Sequence, residues 1–278
     1  MSFYSSKTLP KLLVKDFNLC HTLLCGQLFR VKKIDAWFYV IVKNRILKVR
    51  QSSPETLEYH GADKRFLIDF FALDEPYDDI IAHIDKDSHM TRAIKKFHGL
   101  RIVRQDPWEC LISFICSAAA NIPKIQLNLE NLSEYFGEKV KLHGLEWHIF
   151  PGPGQLNNYK RIVMAKTGFR AKHIKAVNDT VDHSFLSFLN KLPYPEAKKA
   201  LTQLPGVGSK IADCVLLFSL GFSEAFPIDT WIKKILQELY FKNKTISNGE
   251  LHAFGRNYFG KYAGYAQQFL YMLAREKK

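Results

Sequence analysis

The stretch that most constrains this chain is LTQLPGVGSKIADC, residues 201–214, which places one proline, two glycines and one lysine within six positions. Pro205 restricts the exit from a preceding helix, whereas Gly206 and Gly208 allow positive φ angles and the close approach of another backbone. Ser209 is a candidate N-cap for a following helix. The stretch therefore predicts two helices joined by a very tight turn.

The backbone amides of such a turn, beside a helix N-terminus, can bind a phosphate without reading any base. The alternative is a plain helix–helix connection. The segment is not a P-loop, because GVGSK lacks the longer spacing between the first glycine and the Gly-Lys pair.

Lys210 begins an apolar segment, and Asp229 opens the next helical segment 19 residues later. One helix and a short return loop could bring this carboxylate back to the amine. A neutral amine is a nucleophile for Schiff-base chemistry, and a carboxylate can accept its proton or stabilise positive charge on a sugar. Burial favours the neutral amine and a facing carboxylate the charged one, so the sequence leaves its state open. The alternatives are a lysine with its charge in solvent and an ordinary Asp N-cap.

The charge balance favours a polyanionic partner, because 40 Lys and Arg against 27 Asp and Glu give a formal net charge of +13. Residues 155–176 hold six basic residues and no acidic one, with aromatic residues interleaved. Nucleic acid is the expected partner, and a solvated basic surface is the alternative.

The five cysteines, at irregular spacing and without a C-x-x-C pair, argue against a disulfide framework, a zinc ribbon and an iron–sulfur cluster. The N-terminal residues lack the apolar region of a secretory signal, and no apolar run is long enough to cross a bilayer. We therefore expect an intracellular protein without a membrane partner. Chemistry carried out by the Lys210 amine would need no metal and no organic cofactor.

The pattern of the chain changes near residue 100. Residues 27–53 alternate apolar and polar side chains, as antiparallel strands do, whereas the later residues have helical periodicity. The fold class predicted is α+β, mainly α, with an N-terminal antiparallel β-sheet region (1–100) packed on a helical body (101–278). Helices are expected in DPWECLISFICSAAA (106–120), in NIPKIQLNLENLSEYFG (121–137), and over 159–166, 170–190, 194–203, 209–220, 229–241, 247–258 and 261–275.

LPGVGSKIADC followed by PIDTWIKKI resembles the helix–hairpin–helix (HhH-GPD) DNA glycosylases, and within them the 8-oxoguanine DNA glycosylase branch. The resemblance extends over nearly the whole chain through LCGQLFRV (24–31), DPWECLISFICS (106–117), TGFRAKHI (167–174) and YAGYAQQFLY (262–271). It implies a DNA repair enzyme that flips out 8-oxoguanine, excises it through a lysine Schiff base and cleaves the strand by β-elimination.

The resemblance also implies roles for single residues. Lys210 would be the nucleophile and Asp229 the assisting carboxylate. Gly26 would present its carbonyl to the N7 hydrogen of the lesion, Gln267 would read the Watson–Crick edge of the base, and Tyr271 and Cys214 would lie against its two faces. The residues implied in DNA binding are Gly206, Val207, Gly208, Asn121, Lys124, Arg170 and Trp231.

The chain departs from better-known members of the family where the base opposite the lesion is read. Ala119, Ala120 and Asn121 stand in place of an Asn-rich triplet, and Lys124 replaces an arginine. Alanine has no side-chain donor, and lysine lacks the planar fork of arginine. We therefore predict a weaker preference for cytosine. Trp231 stands where a histidine is common.

Two alternatives stay open at this point. One is a monofunctional alkylated-base (3-methyladenine-type) glycosylase, which works through the aspartate and water without the lysine. The other is a non-catalytic helix–hairpin–helix module that only binds DNA. The expected partner is double-stranded DNA with an oxidised purine, bound by a monomer in a prokaryotic cytoplasm at the nucleoid, or in the nucleus if the source is eukaryotic.

Overall fold

The computed structural model describes residues 9–42, 45–142 and 145–276, so the first eight residues of the segment considered for a secretory signal lie outside it. Seven strands and fourteen α-helices are found in these ranges. The strands are β1 (Lys11–Leu13), β2 (Val31–Ile34), β3 (Trp37–Val42), β4 (Arg45–Ser53), β5 (Thr56–His60), β6 (Lys139–Leu142) and β7 (Leu145–His148). The helices are α1 (Leu19–Leu24), α2 (Lys64–Phe70), α3 (Tyr77–Ile84), α4 (Ser88–Lys96), α5 (Pro107–Cys116), α6 (Ile122–Phe136), α7 (Tyr159–Met164), α8 (Ala171–Thr180), α9 (His183–Leu189), α10 (Tyr194–Thr202), α11 (Ser209–Ser219), α12 (Thr230–Tyr240), α13 (Asn248–Phe259) and α14 (Ala263–Glu276).

The first five strands form one antiparallel sheet in the order β1-β5-β4-β3-β2. β3 is apolar throughout because both faces of the sheet are covered there. Phe38, Val40 and Val42 pack with α1 and α2 on one face, while Tyr39 and Ile41 lie on the other. There Tyr39 stacks on Trp147 of the β6–β7 hairpin, with ring centroids 5.7 Å apart. Alternation along the strand thus supplies two separate apolar clusters.

The helices share one large core built around α5, in which Trp108 and every residue from Cys110 to Cys116 are buried. The predicted fold class is confirmed: an N-terminal antiparallel sheet is followed by a mainly helical body. α3 and α4 lie before residue 100, yet Ile80, Ile84 and Met90 belong to the helical core. The division of the chain at residue 100 stays a prediction.

α10 and α11 form the helical hairpin that the sequence predicts, and Gly206 at its turn has φ +80°. A Cβ on this glycine would lie 2.5 Å from the ring of His173 on α8, so both the backbone angle and the neighbour require glycine. The prediction that Ser209 caps α11 is wrong. Gly208 is the N-cap, and Ser209 is the first helical residue.

The single helix predicted over 170–190 is also wrong. A 3-10 turn at Gly168–Arg170 leads into α8, the chain leaves the helix at Val181, and α9 begins after Asp182. The Asp182 carboxylate accepts a hydrogen bond from the Phe185 amide at 2.8 Å and so caps a new helix. Within the part of the chain that the structure describes, no helix is long and apolar enough to cross a membrane.

Candidate active site

A cleft of about 890 Å³ opens where the C-terminal end of α5, the N-termini of α11 and α12, and one face of α14 meet. Its walls bring together residues that are far apart in the sequence. The predicted site residues that line it are Gly26, Asn121, Gly208, Lys210, Cys214, Asp229, Trp231, Gln267 and Tyr271.

Lys210 lies in the first turn of α11 and extends into this cleft. Its Nζ donates a hydrogen bond to the Ser117 Oγ at 2.9 Å and lies 4.9 Å from the centre of the Phe114 ring. The amine is half-buried and has one polar neighbour and one aromatic wall. It is therefore held at the floor of the cleft, where a ligand could reach it.

Asp229 caps α12 through its Oδ1, which accepts from the Ile232 amide at 2.8 Å. The ordinary N-cap interpretation is thus correct, but the same carboxylate also lines the cleft with Lys210. Burial raises the pKa of Asp229, while the Ile232 amide and the positive charge of Lys210 oppose that increase. The carboxylate is therefore more basic than an ordinary aspartate and better able to accept a proton.

Two groups on α14 face the cleft one helical turn apart, at Gln267 and Tyr271. The Oε1 of Gln267 is buried and has no hydrogen-bond partner within the described chain. A buried acceptor without a donor is costly, so a ligand that supplies the donor gains affinity. Tyr271 offers an aromatic face, and burial raises the pKa of its hydroxyl to about 12.

α11 and the segment that follows α1 contribute two further residues to the lining. Cys214 lies one turn after Lys210 on the same helix face and is buried, which raises the pKa of its thiol to about 12. It is therefore a protonated apolar surface. Gly26 has φ +80°, and a Cβ there would lie 3.1 Å from the Tyr271 hydroxyl. A side chain at position 26 would thus intrude on the aromatic group.

The turn of the helical hairpin borders the cleft through Gly208, whereas Gly206 and Val207 lie outside the lining. α11 begins without a side-chain cap, unlike α5, α6 and α12, whose N-caps Asp106, Asn121 and Asp229 accept from their own first-turn amides. The first amides of α11 therefore have no acceptor from a capping side chain, which is the arrangement that binds an anion at a helix N-terminus.

The turn before α6 forms the rim of the cleft and contains Ala118, Ala119 and Ala120. Ala119 has φ +49°, which is unusual for a residue with a Cβ. The Oδ1 of Asn121 accepts from the Lys124 amide at 3.0 Å, so this side chain is engaged as the N-cap of α6. The Lys124 side chain is half-buried and is not part of the lining.

Arg170 is not in the cleft, although the sequence places it among the DNA-binding residues. Only 5% of the residue is exposed. Its guanidinium donates to the carbonyl of Ala118 through Nε at 2.8 Å and through Nη2, and to the carbonyl of Thr167 at 3.2 Å. Arg170 therefore supports the rim through hydrogen bonds to its backbone, and its implied role in DNA binding stays a prediction.

Sequence reasoning missed three residues that complete the site. Ser117 is the hydrogen-bond partner of Lys210, Phe114 is the aromatic wall beside the amine, and Gln268 lines the cleft next to Gln267. Ser117 and Phe114 lie in a segment whose apolar pattern indicates only a buried helix. The doubled glutamine in a mostly apolar helix was the available signal for Gln268.

Comparison with known proteins agrees with this geometry. Residues 11–111 match the family model described as 8-oxoguanine DNA glycosylase, N-terminal domain. The N-glycosylase/DNA lyase OGG1 of Arabidopsis thaliana is 30% identical, over 94% of this chain and 78% of the relative. A structure of MBOgg1 in complex with a low-affinity DNA ligand is 32% identical, with a TM-score of 0.91 over 96% of this chain and 95% of that one.

The 8-oxoguanine glycosylase/lyase of Clostridium acetobutylicum, in complex with double-stranded DNA containing cytosine opposite 8-oxoguanine, is 31% identical. It has a TM-score of 0.90 and covers 96% of this chain and 98% of that one. These similarities cover both the sheet and the helical body. The chain belongs to the 8-oxoguanine DNA glycosylase/lyase family.

Proposed function

We propose that this protein excises 8-oxoguanine from double-stranded DNA through a Schiff base on Lys210 and then cleaves the strand by β-elimination. The observation that supports it most directly is the shared cleft, which holds an amine, a carboxylate of raised pKa and an unpartnered buried amide oxygen. Membership of the family supports the same activity.

The chemistry needs a nucleophile at the sugar. The Lys210 nitrogen attacks C1′, the bond from C1′ to the base nitrogen breaks, and the base leaves with the bonding electron pair. Asp229 accepts the proton that the amine releases and stabilises the positive charge on the sugar. The nitrogen lone pair then expels the ring oxygen O4′, which takes up a proton, so that the C1′–O4′ bond breaks and an iminium forms between Lys210 and C1′. Loss of a proton from C2′ of this iminium breaks the C3′–O3′ bond and releases the 3′ phosphate, which is the β-elimination.

Recognition of the base requires that it leave the duplex, because neither its edge nor C1′ is accessible inside the stack. The Oε1 of Gln267 would accept from the Watson–Crick edge of guanine, which presents N–H donors. The Gly26 carbonyl would accept from N7–H, a donor that 8-oxoguanine has and guanine lacks. Tyr271 and Cys214 would enclose the ring between an aromatic and an apolar surface.

Extrusion of a base costs a few kcal/mol, and contacts to the phosphates offset that cost. The uncapped N-terminus of α11 and the basic segment 155–176 are suited to these contacts. The proposed partner is double-stranded DNA, bound by a monomer at the nucleoid of a prokaryote or in the nucleus of a eukaryote.

Product analysis tests the proposal. The protein is incubated with a labelled duplex that contains one 8-oxoguanine opposite cytosine, and free base and cleaved strand are measured separately. We expect both products from the wild type and neither from Lys210→Gln. Free base without strand cleavage would indicate the monofunctional, water-dependent mechanism of an alkylated-base glycosylase. Binding with neither product would indicate a non-catalytic module.

A further inference from the structure

We propose that Gln268 is a positioning residue that fixes the Gly26 carbonyl relative to Gln267, and thereby sets the distance between the two acceptors that face the base. The inference rests on the proposed function, because it concerns the recognition of 8-oxoguanine in the same cleft. In this role the Gln268 side chain does not need to contact the base.

The segment Leu24–Gly26 is held to α14 by two hydrogen bonds. The Nε2 of Gln268 donates to the Cys25 carbonyl at 2.8 Å, and the Nη1 of Arg275 donates to the Leu24 carbonyl at 3.2 Å. Gln268 is 2% exposed, so its bond is protected from water, whereas the bond of Arg275 is exposed. The buried bond is therefore the one expected to fix this segment most firmly.

The neighbouring carbonyl is left for a ligand. The carbonyls of Leu24 and Cys25 both accept hydrogen bonds from side chains of α14, while no residue in the ranges 9–42, 45–142 and 145–276 donates to the Gly26 carbonyl. Gly26 also lacks a side chain and has φ +80°, a backbone angle that turns the chain sharply beside the cleft. The hydrogen bond from Gln268 to the Cys25 carbonyl therefore holds the backbone one peptide before the Gly26 carbonyl, which borders the cleft as a free acceptor.

Gln267 and Gln268 are consecutive on a rigid helix, but Cys25 and Gln268 are 243 residues apart in the sequence. The two acceptors for the base, Gln267 Oε1 and the Gly26 carbonyl, therefore belong to segments that only tertiary contacts can hold in register. Of the two hydrogen bonds that link these segments directly, the Gln268–Cys25 bond is the buried one and the nearer to Gly26. A shift of well under 1 Å at Gly26 lengthens a hydrogen bond enough to weaken it steeply.

The chain offers a matched control in Gln105. Its Nε2 donates to the carbonyl of Gln27, the residue after Gly26, at 2.7 Å. Gln105 lies outside α14, so this bond holds the same stretch of chain without linking it to the helix that carries Gln267. Gln105 does not line the cleft. Substitution by methionine at either position keeps the length of the side chain and removes one donor.

The test measures binding in the Lys210→Gln protein, so that no turnover occurs. Gln268→Met and Gln105→Met are each added, and Kd is measured for duplexes with 8-oxoguanine and with an analogue in which N7–H is replaced by C–H. We expect Gln268→Met to weaken binding of the 8-oxoguanine duplex by about tenfold, the loss of one buried hydrogen bond, and to leave the analogue unchanged within about twofold. Gln105→Met should change neither value.

Equal losses on both duplexes, or equal losses in the two variants, would overturn the positioning role and indicate general loosening of the segment. Thermal unfolding of each variant shows whether the folded state is kept. The proposed function fails differently: the Lys210→Gln protein would then not distinguish the 8-oxoguanine duplex from an undamaged one, and the wild type would release no base. A preference for 8-oxoguanine that Gln268→Met leaves intact overturns the inference alone.

Discussion

Replacement of Gly206 by alanine is a direct test of why the helical hairpin has its sequence. The new Cβ would lie 2.5 Å from Cγ, 2.7 Å from Cβ and 2.9 Å from Nδ1 of His173, and the backbone would keep φ +80°. The left-handed conformation costs an alanine about 1–2 kcal/mol. The forced displacement of a packed ring adds about 1–3 kcal/mol.

We therefore expect Gly206→Ala to lower the free energy of unfolding by about 2–5 kcal/mol, a large share of the roughly 5–15 kcal/mol of a typical domain. Urea denaturation followed by circular dichroism measures this change. Gly208→Ala is the matched control, because Gly208 has φ −89° and a Cβ there would meet nothing within 4 Å. Its free energy of unfolding should change by no more than about 1 kcal/mol.

The double variant Gly206→Ala, His173→Ala tests the packing cost. Removal of the imidazole relieves the contacts with Cγ and Nδ1 but keeps the Cβ of residue 173 at 2.7 Å, so Gly206→Ala should cost less in the His173→Ala background than in the wild type, and more than the backbone cost of about 1–2 kcal/mol. Equal effects of Gly206→Ala and Gly208→Ala would refute the reasoning. An unchanged cost in the His173→Ala background would refute the part assigned to packing.

Three further predictions follow from the site and its surroundings. Because burial raises the pKa of Asp229, this carboxylate becomes protonated at a higher pH than an ordinary aspartate does. The rate of 8-oxoguanine excision should therefore fall on the acid side with an apparent pKa above about 3.9. An unchanged acid dependence of the residual rate in Asp229→Asn would contradict this. Burial raises the pKa of Glu109 to about 7 despite the positive charge of Arg30 at 3.4 Å, so the folded state favours the neutral carboxyl and the protein loses stability as the pH rises from about 4.5 to about 7. Thermal melts should show that Glu109→Gln becomes more stable relative to the wild type across this range, by up to roughly 3 kcal/mol. A stability difference that does not change with pH would contradict this. Excision opposite the four bases should differ by less than about tenfold, because the rim lacks side-chain donors at Ala119 and Ala120; strict dependence on cytosine in single-turnover assays would show that another residue reads the opposite base.

The parts of the fold that depend on local chemistry could be predicted from the sequence. The turn at Gly206 and the capping of α12 by Asp229 follow from residue types whose preferences act over a few positions. The break between α8 and α9 is harder to predict, because Val181 and Asp182 carry no glycine or proline signal and only the N-cap preference of Asp182 indicates a boundary. There, the cap of the second helix decided the boundary.

The contacts of the candidate site were less predictable, because they join distant segments. Lys210 bonds to Ser117 across 93 positions, and nothing in either local sequence indicates that pairing. Arg170 is a second example. Its basic side chain fits a DNA-binding segment, and that role stays a prediction. Its hydrogen bonds to the carbonyl of Ala118 could not be predicted, because they depend on a tertiary contact between distant segments.

The central claim is that the Lys210 amine becomes covalently joined to the sugar of a damaged nucleotide. Borohydride reduction of the protein mixed with a duplex containing 8-oxoguanine opposite cytosine, followed by mass mapping of the adduct, tests it most directly. The account predicts a stable protein–DNA adduct at Lys210 that is absent in Lys210→Gln and present in Lys199→Gln, which changes an exposed lysine of α10 outside the cleft. An adduct on another residue, or base release without any trapped adduct, would contradict it.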